Sequence, residues 1–378
     1  MALQAVAWTL LAYRYWRSLT LDSAWPVQGN LPIILMDDIR SSSRRPTIRD
    51  VAAQAGVSKS LVSLVFSDPS AVSEARRQRV LAAATELGFT PNFLARALAT
   101  TNGHFVGILA ANLHNPLFAE IVDLVRLELS AVGEYALLTS ATLPAADGLS
   151  VIDQRTVRSL MDLRPKSVLV VGSIPDFSAL SAIPPDIPIV VAAAIPQDFP
   201  QASVVRTNDA VGMRLAVGHL AEQGHKRITH ISGRTGPVAE ARSNGYLTAM
   251  RALGLERHAR VEEITGDLET QGYEVTKRLL RSPRRPTAIA AFNDLLAIGA
   301  LDAVTEWVQA GGEPIAVTGY DNTFLAGLRR YSLTTLDAGN LAIARQASNL
   351  LMNPPRSGTR GAQHLLNPTL VVRGSSTV

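Results

Sequence analysis

The sequence predicts an α/β protein in which a small helical head precedes a large body of two lobes, each built on a doubly wound parallel sheet. Two short helices joined by a tight glycine turn indicate the head, in residues 46–90. Apolar strand-like runs alternate with helical segments over residues 104–373 and indicate the body. Because the body holds 270 residues, more than one comfortable doubly wound domain, we expect two lobes.

Composition restricts the chemistry that the chain can perform. Its 378 residues include no cysteine, which excludes disulfide scaffolds, thiolate metal sites and cysteine nucleophiles. With 47% hydrophobic residues the chain can fill sizeable cores, and its length favours two or three domains. No apolar run reaches the roughly 18–20 residues of a membrane helix, so we expect no membrane partner and a cytoplasmic protein.

The positive charge of the chain is concentrated in one block. Residues 44–98 carry eight Lys or Arg against four Asp or Glu, a net +4 that equals the formal charge of the whole chain. Residues 99–378 are balanced, with 25 basic and 25 acidic residues. A basic block ahead of a large neutral body is typical of a DNA-reading head attached to another module. The alternative is a basic face that only water solvates.

Residues 1–45 are interpreted as an extension outside the functional fold. The apolar stretch at 5–13 has no positive charge before it, which argues against a secretory signal. Met36 opens a polar leader, so an over-called start codon would explain the segment. We expect the extension to be disordered or a start-site artefact.

Residues 46–67 carry the pattern of two helices that cross closely. Thr47 is a good N-cap, and Asp50 three residues later favours the first helical turn. Gly56 ends this helix, and Ser58 caps a second one. The small residues between them allow close crossing, which predicts a helix-turn-helix unit. An ordinary helical hairpin with a polar outer face is the alternative.

The second helix would place its N-terminal residues in a major groove of DNA. Lys59, Ser60 and Ser63 lie on the face away from the packed side chains. Lys59 can reach a guanine edge or a phosphate, and the short serine hydroxyls tolerate different bases. A third helix is expected between Ser73 and Gly88.

The segment TIRDVAAQAGVSKSLVSLVF, with PNFLARAL at 91–98, resembles the head and hinge helix of the LacI/GalR family of bacterial transcription repressors. The resemblance covers residues 47–373. It implies that Lys59 and Ser60 occupy the main base-reading positions and that Leu98 wedges into the minor groove. Leu64 stands where the family commonly has an arginine, which leaves the operator sequence open. The candidate DNA-contacting residues are Thr47, Ser58, Lys59, Ser60, Ser63, Leu64, Asn92, Ala95, Arg96 and Leu98.

Residues 91–103 are expected to form the hinge helix and a linker. A helix this short is not stable alone, so it would fold when two copies pack together on DNA. An ordinary linker between domains is the alternative.

Residues 104–373 are expected to form an effector-binding and dimerisation domain, a two-lobed body similar to periplasmic binding proteins. Continuous apolar strands alternating with helices indicate parallel sheets covered on both faces. We place the lobe boundary near residue 206 and expect the chain to cross back near 321–340. The predicted strands are 105–110, 135–138, 168–171, 189–193, 228–231, 288–292 and 315–319, and the predicted helices include 118–131, 212–223, 240–253 and 295–309.

Ligands of such sheets bind beyond the carboxyl ends of the strands, so a cleft between the lobes is expected to hold the effector. Arg242 in ARSNGY and Asp294 in FNDLLAIGA match effector-contacting positions of the family. An arginine and an aspartate facing one cavity suit a polar ligand with hydroxyl or carboxylate groups. A structural ion pair is the alternative. The candidate effector-binding residues are His114, Asn115, Phe118, Arg242, Asn293, Asp294 and Asn340.

Some positions of the cleft depart from the family pattern. Ala192, Ala193 and Ala194 follow a strand after which the family often has an aspartate, and Leu268 stands where an aromatic residue can occur. Fewer carboxylates and no obvious aromatic floor weaken the case for a sugar. The sequence names no replacement.

Enzyme motifs are missing from the sequence. No GxGxxG follows a strand, and neither a GxxxxGK[ST] loop nor a GxSxG elbow occurs. The seven histidines are scattered, which gives poor metal-ligand spacing. We therefore expect no catalytic residue, no metal site and no cofactor.

Together these patterns predict a DNA-binding transcriptional regulator, interpreted as a repressor, that binds double-stranded operator DNA as a homodimer. A small-molecule effector, a sugar or related polar metabolite, would bind between the lobes and change the affinity for the operator. The alternative is a two-lobed small-molecule binding protein without a DNA-related function, which would leave the basic head unexplained.

Overall fold

The computed structural model describes residues 46–67, 71–89, 103, 105–144, 150–234, 236–264, 268–355 and 359–377. They belong to two compact units divided between Pro91 and Asn92. The predicted extension 1–45 and the predicted hinge helix at 91–98 lie outside the described residues.

The first unit contains the three helices that the sequence predicts. Thr47 is the N-cap of the first helix, and Gly56 ends it at a φ of 62°, a left-handed conformation that glycine adopts without strain. Ser73 is the N-cap of the third helix. The helices are α1 (Ile48–Ala55), α2 (Lys59–Ser67) and α3 (Glu74–Glu86).

A small core holds the head together. Val51, Val62 and Val80 are fully buried and come from α1, α2 and α3 in turn. Alanines from α1 and α3 fill the space between them, which lets the helices approach closely. The core therefore uses one face of α2 and leaves the other face to solvent.

The second unit contains two six-stranded sheets and seven α-helices among its described residues. The strands of both sheets are mostly buried on both faces, as expected for parallel sheets covered by helices. The helices are α4 (Pro116–Ala131), α5 (Gln154–Asp162), α6 (Asp209–Glu222), α7 (Pro237–Ala252), α8 (Leu268–Leu280), α9 (Asp294–Gln309) and α10 (Asn340–Met352).

The first sheet is parallel throughout and forms the first lobe. Its strands are β1 (Phe105–Ala110), β2 (Tyr135–Ser140), β5 (Ser167–Val171), β6 (Ile189–Ala192), β7 (Ser203–Thr207) and β13 (Gln363–Leu366). Their order in the sheet is β13-β7-β6-β5-β1-β2. A separate antiparallel pair consists of β3 (Thr142–Pro144) and β4 (Ser150–Ile152).

The second sheet forms the second lobe and is parallel except at one edge. Its strands are β8 (Ile228–Ile231), β9 (Arg260–Glu262), β10 (Ala288–Ala291), β11 (Ala316–Tyr320), β12 (Thr334–Asp337) and β14 (Thr369–Val371). Their order in the sheet is β14-β12-β11-β10-β8-β9, and β14 runs antiparallel to β12.

The two sheets share one topology, and this topology places a crevice in each. The first strand of each lobe lies between two neighbours, β2 and β5 for β1, and β9 and β10 for β8. Because the connections leave this strand in opposite directions, a crevice opens at its carboxyl end, where α/β sheets bind ligands. The predicted α/β fold with a helix-turn-helix head and a two-lobed parallel body is confirmed.

The chain passes between the lobes three times. It leaves the first sheet after Thr207, returns between β12 and α10, and enters the second sheet again between β13 and β14. The sequence interpretation included the first two passages and not the third. The strands of the third are three or four residues long and lie at sheet edges, so their apolar signal is weak.

The strand predictions hold to within one or two residues, with a physical reason at one boundary. The run predicted to end at 193 ends at Ala192, because Ala193 has a φ of 56° and leaves the extended region. Strands with polar residues, such as β7 and β12, were not predicted from apolar runs.

Candidate functional site

The second helix of the head presents a polar face to solvent. Ser58 starts α2 by accepting a hydrogen bond from the backbone N–H of Leu61 at 3.2 Å. Val62 and Val65 point into the core of the head. The predicted base-reading side chains are all exposed and line one shallow depression: Lys59, Ser60, Ser63 and Leu64.

Thr47 stabilises the start of α1 in the described head. Its backbone N–H and its hydroxyl both donate to the same carboxylate oxygen of Asp50, each at 2.7 Å, which satisfies the start of α1. Four further candidate DNA contacts lie outside the described residues: Asn92, Ala95, Arg96 and Leu98.

The head also carries exposed cations on each of its three helices. Arg49, Lys59, Arg76 and Arg79 are exposed, whereas Arg77 pairs with Glu74 on the same helix. The described head therefore offers several cations that a phosphate backbone could engage.

The body contains a small cavity between its two lobes. Leu117, Ala194 and Ile343 contribute from the first lobe, and Val238 and Arg242 contribute from the second. The volume that is open to water measures about 20 Å³, which is enough for roughly one water molecule. The complete wall is Leu117, Ala193, Ala194, Arg206, Thr207, Asp209, Val238, Arg242, Asp321, Ala338 and Ile343.

Arg242 is the centre of the cavity's polar wall. Its Nε donates to Asp209 Oδ1 at 2.9 Å, and its Nη1 donates to the carbonyl oxygen of Phe292. Its guanidinium carbon lies 3.6 Å from the centre of the Tyr320 ring and 4.7 Å from that of Phe292, so aromatic faces enclose it. Burial acts to lower the pKa of Arg242, but the carboxylates of Asp209 and Asp321 hold it above its usual value.

Asp209 joins the two lobes electrostatically at their first crossover. Its Oδ1 accepts from Arg242 and its Oδ2 accepts from Arg206 Nη1 at 2.6 Å. It also opens α6, where the helix dipole favours a negative charge. At the same crossover, the Thr207 hydroxyl donates to the carbonyl oxygen of Ala338 at 2.9 Å, tying the first and second passages together.

Two wall residues have left-handed backbone conformations that are rare without glycine. Ala193 has a φ of 56° and Asp321 a φ of 113°. Such strain is typical of ligand sites. Asp321 Oδ1 lies 3.6 Å from Arg242 Nη2 and has no hydrogen-bond partner among the described residues. Burial raises the pKa of Asp321 well above its usual value, although Arg242 counteracts this effect.

Asp294 lies in the interior of the second lobe rather than on the cavity wall. Its Oδ2 accepts from the Thr323 backbone N–H at 2.7 Å and from its hydroxyl at 2.9 Å, and its Oδ1 accepts from Thr335 Oγ1 at 2.5 Å. Burial raises the pKa of Asp294 to about 6, although these hydrogen bonds favour the ionised form. Arg242 forms its ion pairs with Asp209 and Asp321 instead.

The other predicted effector residues have different environments. Asn115 caps α4 by accepting from Leu117 N at 3.1 Å, and Asn293 caps α9 by accepting from Leu296 N at 3.0 Å; both are buried. His114 is exposed. None of these observations tests an effector contact, so the assignments stay predictions.

Phe118 borders the crevice of the first lobe, and Asn340 lies at the second passage of the chain between the lobes. The Phe118 ring packs where a side chain on Gly172 would project, at the carboxyl end of β5 beside β1. Asn340 begins α10, is buried, and its Oδ1 has no hydrogen-bond partner among the described residues. An unpartnered buried acceptor is unusual and marks a place where a donor would be stabilised.

Sequence reasoning did not select Arg206, Asp209 or Asp321 as site residues. The signal was available, because Asp209 follows β7 and Asp321 follows β11 at their carboxyl ends, the same rule that selected Asn293. Within the part of the chain that the structure describes, no three His, Asp or Glu side chains gather as a metal site.

Comparisons with known proteins decide the family. Residues 47–92 match the model for bacterial regulatory proteins of the lacI family, and residues 217–376 match a periplasmic binding protein-like domain. The chain is 32% identical over 335 residues to the ribose operon repressor of Escherichia coli K12, covering 87% of this chain and 99% of that one. The chain belongs to the LacI family of bacterial regulatory proteins.

Other relatives and structures agree with this membership. The HTH-type transcriptional repressor PurR of Mannheimia succiniciproducens is 31% identical over 87% of this LacI-family chain and 98% of its own. A LacI transcriptional regulator from a Rhodococcus species superposes with a TM-score of 0.64 at 30% identity, over 71% of this chain and 97% of that one. A Lac repressor structure superposes with a TM-score of 0.73 at 25% identity, over 89% and 100%.

The predicted function class is thereby confirmed. This LacI-family chain is a DNA-binding transcriptional regulator with an effector-domain body, because the match to the regulatory family covers the head that a simple binding protein would lack. The relatives described above are transcriptional repressors or regulators. Among the residues described, no helix combines the length and the apolar character needed to cross a membrane.

Proposed function

We propose that this LacI-family regulator represses transcription as a homodimer in the cytoplasm and that a small polar metabolite, bound between its lobes, sets its affinity for operator DNA. The proposal that an effector binds is supported by the cavity that both lobes line, with the buried Arg242 at the centre of its polar wall. In this proposal the head is 46–90, the hinge and linker are 91–103, and the effector-binding and dimerisation domain is 104–373.

The exposed face of α2 is the proposed DNA-reading surface. Lys59 would reach a guanine edge or a phosphate from the first turn of the helix, where recognition helices make their base contacts. Leu64 is exposed on the same face, and its methyl groups suit a thymine methyl. A dimer would present two such helices to the two halves of a palindromic operator.

The proposed effector engages the polar wall of the cavity. Arg242 is the anchor, and Asp321 Oδ1, which forms an ion pair but accepts no hydrogen bond, would accept from a hydroxyl group of the ligand. Such a set suits a donor-rich polar metabolite, sugar-like in its hydroxyl groups. The chain's similarity to a ribose operon repressor agrees with that class.

The lobes would have to part to admit this effector. Ligand pockets for small molecules measure about 300–1,000 Å³, whereas water can occupy about 20 Å³ here. Opening would separate Arg206 of the first lobe from Asp209 at the start of the second lobe. The relative orientation of the two lobes would change as a result. An effector that prefers one lobe arrangement shifts the equilibrium, and the coupling between effector and operator is reciprocal.

A ligand screen with a matched variant pair tests the effector site. Pentoses, hexoses and purines are added to the full chain, and thermal unfolding is recorded for the wild type, Arg242→Ala and Arg155→Ala. Arg155 is an exposed arginine of the first lobe. We expect one ligand to raise the Tm of the wild type and of Arg155→Ala, with the shift lost in Arg242→Ala. A hit that stabilises all three chains equally would reject the cavity as its site.

A further inference from the structure

The second lobe carries a group of cations at the amino-terminal ends of its strands, on the side of the sheet that is opposite to the cavity. Lys226 and Arg227 precede β8, and Arg281, Arg284 and Arg285 precede β10. We call these five residues the basic edge. Because β8 and β10 are neighbouring parallel strands, both loops lie at the same amino-terminal edge of the sheet. The carboxyl ends of these strands lead to the cavity instead.

Direct contacts hold the two loops of the basic edge together. The Arg227 Nε donates to the carbonyl oxygen of Arg285 at 3.0 Å, and the Thr287 backbone N–H donates to the carbonyl oxygen of Arg227 at 2.9 Å. The Arg285 guanidinium lies 5.3 Å from the centre of the Trp307 ring, which restrains its orientation. The cations are therefore placed by the fold and are not a loose tail.

The basic edge lacks acidic partners. All five side chains are exposed, and none forms an ion pair with another residue that the structure describes. Nearby cations of the same lobe do pair, for example Arg278 with Glu262 and Arg330 with Asp302. Five like charges in two adjoining loops repel one another, so a polyanion that neutralises them is favoured.

The exposure and the number of these cations favour a polyanion over a small anion. The five cations are exposed on two loops, so a single phosphate bound there would stay hydrated and bind weakly. A nucleic-acid backbone offers one charge per roughly 1.7 Å of duplex and gains from releasing its condensed counterions at each contact. Duplex DNA is also the polyanion beside which this regulator acts.

We propose that the basic edge is a second DNA-binding surface, which holds the phosphate backbone of duplex outside the operator without reading its sequence. The proposal rests on the chain being a DNA-binding regulator. Once the head is bound, flanking or looped DNA is present at high effective concentration, so weak backbone contacts become productive. The surface would hold DNA segments together and slow dissociation.

The test compares two triple variants of the full chain with equal changes in net charge. One is Arg281→Gln with Arg284→Gln and Arg285→Gln. The control is Arg155→Gln with Arg158→Gln and Arg164→Gln, three exposed arginines of the first lobe. Affinity for a random 200-base-pair duplex is measured between 50 and 200 mM salt, and circular dichroism checks that both variants are folded.

We expect the basic-edge variant to bind random duplex less tightly and with a shallower salt dependence, by up to about 2.7 in the slope of log K against log salt for three lost phosphate contacts. The control variant should match the wild type. Equal slopes in the two triple variants would overturn the proposal. Wild-type chain that binds no duplex at all would reject the regulator function as well, whereas loss only in Lys59→Ala would reject the basic edge alone.

Photo-crosslinking gives a readout that does not depend on variants. Bromouracil-substituted random duplex is irradiated with the wild-type chain, and crosslinked peptides are identified by mass spectrometry. Crosslinks within 226–227 or 281–285, in addition to the head, would support the second surface. Crosslinks confined to residues 46–103 would overturn it.

Discussion

Replacing Asp209 by asparagine removes the charge that Arg242 and Arg206 share while keeping the shape of the side chain. The Asp209 and Arg242 side chains are only 5% and 8% exposed, so little solvent is available to replace the lost charge. Breaking a buried pair by removing one partner costs about 3–5 kcal/mol. Asp321 compensates poorly, since it lies 3.6 Å from the guanidinium and burial raises its pKa. We therefore expect Asp209→Asn to lower the free energy of unfolding by about 3 kcal/mol.

A double-mutant cycle measures how much of that loss belongs to the pair. The free energy of unfolding is obtained by urea titration, at one protein concentration, for wild type, Asp209→Asn, Arg242→Met and the double variant. Because Arg242→Met removes the stranded charge, the double variant should lose at least ~1 kcal/mol less than the sum of the single losses. Glu128→Gln, which breaks the exposed Arg345–Glu128 pair, is the control and should change stability by under about 1 kcal/mol. Additive losses, or an Asp209→Asn chain as stable as that control, would refute the reasoning.

Three further predictions concern the head, the helix packing and the pH response. Lys59→Ala should weaken operator binding by about 1–3 kcal/mol in a gel-shift titration, and an equal loss on random duplex would mark Lys59 as a phosphate contact instead. Gly299→Ala should lower the free energy of unfolding by about 1–3 kcal/mol, because its Cβ would lie 1.9 Å from the Glu269 carbonyl oxygen; Gly218→Ala, in open space on α6, should be neutral or raise it by about 1 kcal/mol. Burial lowers the pKa of His230 to about 4, below the 6.5 of the unfolded chain. The unfolded state alone takes up this proton between pH 6.5 and 4, so the wild type should lose about 3 kcal/mol more than His230→Gln on acidification over that range, measured by urea titration at both pH values. Parallel pH profiles would contradict it.

Local signals account for what was predictable about the fold. The helix start at Thr47 follows from its hydrogen bonds with Asp50, only three residues along the chain, and Ser73 is a residue type that favours the N-cap position. Strands such as β1 and β5 were found because four to six consecutive, mostly apolar residues are buried on both faces. Edge strands such as β13 were missed because only one face is covered, which leaves polar residues in the run.

The residues of the cavity wall were predicted only in part, because the geometry of the wall depends on which strand ends come together. Asn293, Asp294 and Asp321 all follow strands of the second lobe, and sequence spacing does not distinguish them. Hydrogen bonds from Thr323 and Thr335 hold Asp294 in the interior, and Asp321 is the one placed beside Arg242. The partners of Asp294 lie 29 and 41 residues away in the chain.

By itself the sequence determined the helix-turn-helix head, the class of parallel sheets and the selection of Arg242, which lies on the wall of the cavity between the lobes. These properties depend on neighbours within one helix or strand, so composition and spacing record them. The tertiary structure alone decided that Asp209 and Asp321 neutralise that arginine, that the chain passes between the lobes a third time, and that five unpaired cations meet at one sheet edge. Those arrangements arise from contacts between residues far apart in the chain, which only the packing of complete lobes brings within a few ångströms.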